Sequence, residues 1–193
     1  MTIYTASFGN YDEIIPSADI RYDENHNPYS GIDEHFSSRM KAKLYKVLNP
    51  DRLDFWIDSS VEILNRRELE KLLVGDVTVF RHPFNKTLEE ELILCHKLGY
   101  VDDWAVSKIQ KLYESNQMDI SKTPVYACTT LYRDHEKTEE FNVYWWSLIC
   151  QYSYRDQLTF PLALSKISNL KLNVLDLLIG ENEYLKLYEH NKS

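Results

Sequence analysis

Segments with the period of a helix and segments with the period of a strand take turns along this chain, and that alternation limits the fold more than any other feature. Thr2 to Ser7 is β-prone and runs into the turn cluster Phe8-Gly9-Asn10-Tyr11-Asp12. From Phe36, the apolar residues Phe36, Met40, Leu44 and Val47 recur at helical spacing until Asn49-Pro50 stops the helix. A strand, Leu53 to Ile57, follows at once. The helix Arg66 to Val74 ends at Gly75, a left-handed cap, and Asp76 to Arg81 has the alternation of a further strand. Thr87-Leu88-Glu89-Glu90 reads as a capping box opening a helix through Leu98, with Gly99 as its stop. A helix over Trp104 to Asn116, a strand over Val125 to Tyr132, an aromatic helix over Phe141 to Tyr152 and a short last strand over Leu170 to Leu175 complete the series. Such alternation predicts an α/β sandwich with a mostly parallel central sheet flanked by helices, whose ligands sit beyond the carboxyl ends of the strands.

The 193 residues carry neither an internal repeat nor a linker, so one domain over 1–193 is expected, and 44% hydrophobic content gives it a sizeable core. A formal net charge of -8 disfavours a broad nucleic-acid or anionic-membrane footprint. The start has no basic or apolar leader pattern and no apolar run nears the about 18 residues of a membrane span, so a cytoplasmic protein without a transmembrane segment is expected. Cys95, Cys128 and Cys150 are too scattered for a disulfide framework or a zinc site. Fourteen tyrosines and four tryptophans against five glycines suit either core packing or a pocket for sugar and base.

Three clusters hold chemistry. In Phe55-Trp56-Ile57-Asp58-Ser59-Ser60, a carboxylate and two hydroxyls follow a hydrophobic strand, where an α/β sheet holds its ligands. Asp58 there is either a ligand for a hard cation such as Mn²⁺ or Mg²⁺ or a cap for the next turn. Arg155-Asp156-Gln157 sets a cation, an acid and an amide together, which suits positioning of hydroxyls and uptake of a proton, or else an N-cap with a surface ion pair. His82, before Pro83 at a strand end, would donate to a phosphate, ligate a metal, or only shape a turn. Arg39, Lys43 and Lys46 would reach a diphosphate or form a solvated helix face. Glu90 is accounted for by the capping box. Dinucleotide, P-loop, serine-hydrolase and zincin fingerprints do not occur.

Taken in order, these blocks resemble the glycosyltransferase-like group known as domain of unknown function 616, related to plant mucilage and tapetal glycosyltransferase-like proteins. Tyr4-Thr5-Ala6-Ser7-Phe8-Gly9-Asn10-Tyr11-Asp12 is similar to its opening block, the basic helix Arg39 to Pro50 to its next, and Phe55 to Ser60 to its W-I-D-G-[NS] block. His82-Pro83, Glu89-Glu90, Arg133-Asp134-His135, Trp145-Trp146 and Ser153 to Leu158 resemble its later elements, so the resemblance spans roughly Tyr4 to Lys166. It implies a GT-A type fold, a Rossmann-like sheet in which Phe8, Gly9 and Tyr11 line the base pocket. Asp58 and Ser60 then take the place of the D-x-D, and Asp156 with Gln157 faces acceptor and transferred sugar. The D-Q pair is similar to one in retaining enzymes of the glycogenin type, which makes retention the preferred outcome. The chain departs from a full D-x-D, since Ser60 stands where a second carboxylate would be.

The resemblance thus implies a glycosyltransferase moving a sugar from a nucleoside diphosphate sugar to a hydroxyl acceptor, a glycan of the cell-surface polysaccharide type. Its site would use Arg155, Asp156 and Gln157 in catalysis and Phe8, Gly9, Tyr11, Arg39, Lys43, Asp58, Ser60 and His82 for the donor. The alternatives are a non-catalytic nucleotide- or glycan-binding module and sugar transfer onto modified nucleic acid.

Overall fold

The computed structural model describes residues 1–9 and 17–188. Its central sheet has six strands: β1 (Ile3–Ala6), β2 (Ile20–Tyr22), β3 (Phe55–Ile57), β5 (Val77–Arg81), β6 (Tyr126–Arg133) and β7 (Leu172–Leu175). Their order is β2-β1-β3-β6-β5-β7, and a separate two-stranded ribbon pairs β4 (Val61–Ile63) with β8 (Leu185–Leu187). The helices are α1 (Ser38–Leu48), α2 (Arg66–Leu72), α3 (Leu88–Lys97), α4 (Asp103–Ser115), α5 (His135–Gln151) and α6 (Phe160–Lys166).

The α/β class holds, and five of the six strands run in one direction; the sheet is mixed through β6 alone. β1 pairs in parallel with β2 and β3, and β5 with β7, while β6 runs antiparallel between β3 and β5. The reversal has a simple cause in connectivity. Between β5 and β6 the chain makes two helices, α3 and α4, instead of the single crossover that returns a strand in parallel.

Side-chain alternation builds two cores from one sheet. Tyr4, Ala6 and Trp56 point to a layer made by α1, α3, α4, α5 and α6, whereas Ile3, Phe55 and Ile57 point to α2 and the β4–β8 ribbon. Both faces of β1 and β3 are therefore covered, which is why these strands read as continuous apolar runs.

Local signals place the helices well. Asn49 ends α1 in the left-handed region, and its backbone N–H donates to the Tyr45 carbonyl. α1 starts at Ser38, two residues later than the Phe36 periodicity suggests, because the Ser37 side chain accepts from the Met40 N–H. The capping box of α3 forms between Thr87 and Glu90. α5 begins six residues earlier than Phe141, with a charged, solvent-facing first stretch that carries no apolar period. β2, β4, β8 and α6 are additional to the elements expected from periodicity. No helix among the described residues is long and apolar enough to cross a membrane.

Candidate anion and donor site

From β1 the chain moves outward to β2, then returns through α1 to β3 on the opposite side of β1. This reversal of strand order opens a crevice beyond the carboxyl ends of β1 and β3, the place where open α/β sheets take ligands. A cleft of about 180 Å³ lies there, walled by Ser7 and Phe8 after β1, Asp58 and Ser59 after β3, Arg39 and Lys43 from α1, and Arg155. Tyr100 and Tyr154 stand at its rim side by side with Arg155 in the lining.

Asp58 continues the β3 ladder, its N–H donating to the Thr129 carbonyl at 2.8 Å. Trp56 precedes it by two residues on the same face, and the indole Nε1–H donates to Asp58 Oδ1 at 2.8 Å. That bond holds the carboxylate at the cleft wall. The expected partner Ser60 does not join it. The Val61 N–H donates to the Asp58 carbonyl, closing a turn that breaks the strand alternation, so Ser59 lines the cleft and Ser60 is buried, its hydroxyl without a hydrogen-bond partner. Asp58 and Ser59, not Asp58 and Ser60, are therefore the pair on the cleft wall.

Beneath the cleft floor sits Asp156, 1% exposed. Lys43 Nζ approaches Oδ1 at 3.0 Å and Lys46 Nζ approaches Oδ2 at 2.6 Å. Burial alone would raise this carboxyl, but the two lysines outweigh it and hold it below the usual carboxylate range. Lys46 is wholly buried and also donates to the Cys128 carbonyl; its ammonium lies 5.8 Å from the Trp56 ring. Burial opposes its charge, yet Asp156 and then Asp58 keep it raised. Two of the expected roles change accordingly. Lys46 is an internal counter-ion, beyond reach of a diphosphate, and Asp156 is not open to the cleft as a proton acceptor. Lys43, the less buried of the lysines, is the one that borders the cleft.

Arg155 does line the cleft, but its partner is no surface acid. It pairs with buried Glu91 at 3.6 Å and lies 4.8 Å over the Tyr100 ring. Glu91 also accepts from Asn85 Nδ2 at 2.6 Å and from the Cys95 thiol, and faces His82 Nε2 at 3.4 Å. His82 accepts the Asn85 N–H at Nδ1, so it shapes the turn after β5 from within this network and is absent from the cleft wall. Burial, chiefly, depresses its pKa. Glu91 was hidden by the capping box beside it; its place on the inner face, with Leu88, Leu92 and Cys95, is the signal that marks it.

Phe8 lines the cleft and stacks on Tyr45 at 5.4 Å, which in turn stacks on Tyr22 at 4.5 Å. Gly9 has φ +70° and its N–H donates to Glu24 Oε1 at 2.7 Å; it shapes the loop and is not part of the wall. Tyr11 lies outside the described residues. Gln157 is half-buried and away from the cleft lining.

For Mn²⁺ or Mg²⁺, the described residues supply one carboxylate to the wall, Asp58, and among them no three His, Cys, Asp or Glu side chains converge. The cations Arg39, Lys43 and Arg155 line the same cleft. The Arg133-Asp134-His135 block is structural. Arg133 is fully buried and donates to the Val47 and Lys46 carbonyls at the end of α1 and to Tyr4 Oη, while His135 meets Asn49 and the Leu53 carbonyl. No family model, curated protein or solved structure matches the chain.

Proposed function

We propose that this protein is a glycosyltransferase that uses a nucleoside diphosphate sugar. The observation that carries the reading is the cleft at the β1/β3 switch point, with Asp58 on one wall and Arg39, Lys43 and Arg155 around it. A diphosphate there would accept charge-assisted hydrogen bonds from the guanidinium and ammonium groups. In the reaction, the bond from the sugar's anomeric carbon to the diphosphate oxygen breaks and a bond to the acceptor oxygen forms. Charge grows on the departing oxygen, and preorganised cations lower the barrier most at that point. The resemblance to the domain of unknown function 616 group supports the same donor class.

With Asp156 enclosed by two lysines, the acceptor proton passes to the departing phosphate oxygen on the same face of the sugar. That outcome accords with retention. The GT-A assignment and a polysaccharide acceptor belong to this proposal and rest on the resemblance.

A second reading, a binding module without turnover, is favoured by one observation: among the described residues, Asp58 is the lone carboxylate on the cleft wall. A screen of nucleotide sugars with and without Mn²⁺ or Mg²⁺, reading nucleotide release, decides between them. Release that depends on Asp58 supports the transferase, nucleotide binding with no release supports the module, and neither binding nor release sinks both.

A further inference from the structure

Trp104 and Tyr100 are exposed, Tyr152 and Tyr154 are half-buried, and each of the four rings has a cation against it. Trp104 is 60% exposed and Tyr100 38%. The Lys108 ammonium lies 4.0 Å from the Trp104 ring, one helical turn along α4, and 5.9 Å from the Tyr152 ring. Arg155 covers Tyr100, and Arg39 lies 5.8 Å from the Tyr154 ring while donating to its hydroxyl at 3.3 Å. Tyr100 and Tyr154 belong to the cleft wall itself. Trp104 and Tyr152 share Lys108, and Trp104 follows Tyr100 by four residues as Tyr152 precedes Tyr154 by two, which ties the outer pair of rings to the wall.

We propose, resting on the sugar-transfer reading above, that Tyr100, Trp104, Tyr152 and Tyr154 form a subsite for the acceptor, a saccharide chain. A pyranose has apolar C–H faces of slight positive character and a rim of hydroxyls. Its face is attracted to an aromatic ring by the same quadrupole that attracts a cation. Lys108, Arg155 and Arg39 set donors beside these rings, the complement of such a rim. Rigid aromatic side chains also give up little rotamer freedom on binding. Trp104, so exposed, keeps the face turned from Lys108 open. The aliphatic Ile93 is exposed as well, but it projects from the side of α3 opposite buried Glu91 and Cys95, away from this strip. The strip is thus aromatic and donor-rich, which fits a saccharide better than an aliphatic protein surface.

The test is a tryptophan-fluorescence and calorimetric titration of the full chain, without nucleotide, against cello-, manno-, xylo- and maltohexaose and a galacturonate hexamer. At least one should bind the parent chain. Trp104→Ala should weaken that binding about tenfold and Trp104→Phe should retain most of it. Ile93→Ala, outside the strip, should leave it unchanged, and because no nucleotide is present while the donor reading is judged by nucleotide release, a failed donor reading and a failed acceptor subsite give different results. Binding of none of these saccharides, or equal binding by Trp104→Ala, overturns the proposal. So does concentration-dependent self-association that Trp104→Ala abolishes, since the strip would then be a protein interface.

Discussion

Lys46 and Asp156 form an ion pair at 2.6 Å with both side chains out of solvent, 0% and 2% exposed, although they lie 110 positions apart in the chain. The pair joins α1 to the turn that follows α5, so the helix that borders the cleft is locked to its floor. Removing one partner of such a pair leaves an uncompensated buried charge and typically costs ~3–5 kcal/mol. Asp156→Asn, which strands Lys46, should fall in that range by urea unfolding. Lys43→Met should cost less, because Lys43 is 20% exposed and Asp156 keeps its closer partner. Equal costs for the two variants would refute the assignment of Lys46 as the internal counter-ion. The sign with pH follows from the depressed Asp156 carboxyl: its contribution is present above the unfolded value near ~3.9 and is lost as pH falls below it.

At the cleft, Arg39→Ala and Lys43→Ala should each weaken binding of a nucleoside diphosphate about tenfold, corresponding to ~1.4 kcal/mol. Isothermal titration at two salt concentrations would check it, with the parent losing affinity at high salt more than either variant. Asp58→Asn keeps an oxygen for the Trp56 indole but removes the charge, so it should fold normally and release nucleotide from the donor ~100-fold more slowly. Turnover equal to that of the parent chain would remove Asp58 from the mechanism.

How much of this was legible depends on how local each cause is. The α3 capping box needs only Thr87 and Glu90, and the strand end at Ile57 needs only the residues around it, so both can be read along the chain. The place of Asp58 beyond that strand is likewise local. The burial of Lys46 is not: a lysine among Arg39, Lys41 and Lys43 looks like one more solvated cation until Asp156 and the Cys128 carbonyl are brought to it. The exchange of Ser59 for Ser60 is a matter of one turn that breaks strand alternation. β2, β4 and β8 have three residues each, too few to show a period, whereas the reversal of β6 follows from the two helices between β5 and β6, both of which show in the sequence.

Gly75 offers a test of the sheet edge. Its φ is +80°, and a Cβ there would lie 2.7 Å from the Lys171 carbonyl oxygen, which already accepts the Asp76 N–H at 2.8 Å. Asp76 returns the contact by accepting the Lys171 N–H, so the approach of β7 to β5 begins at this glycine. Gly75→Ala combines left-handed strain of ~1–2 kcal/mol with displacement of that backbone, and a total of about 2–3 kcal/mol is expected in urea unfolding. Hydrogen exchange should show the loss concentrated at β7. Unchanged stability would mean that the strand does not depend on this close approach.

His135 sets a pH dependence near neutrality. Burial first, and then buried Arg133, depress its pKa to about 4, while the ring holds the 49–54 segment through Asn49 and the Leu53 carbonyl. A histidine free in the unfolded chain titrates near ~6.5, so between these values the unfolded state binds the extra proton and folding loses free energy. Stability should therefore be full above about pH 6.5 and decline as pH falls toward 4. After discounting for the ring's partial exposure, the decline due to this residue is about 1–2 kcal/mol. His82, also depressed by burial, adds a decline of the same sign. Urea unfolding of the parent chain and of His135→Gln at pH 7 and pH 5 separates the two: the variant should be less stable at pH 7 but lose less on acidification. If both lose the same amount, His135 is not the residue that titrates, and its place in the 49–54 anchor has no bearing on pH.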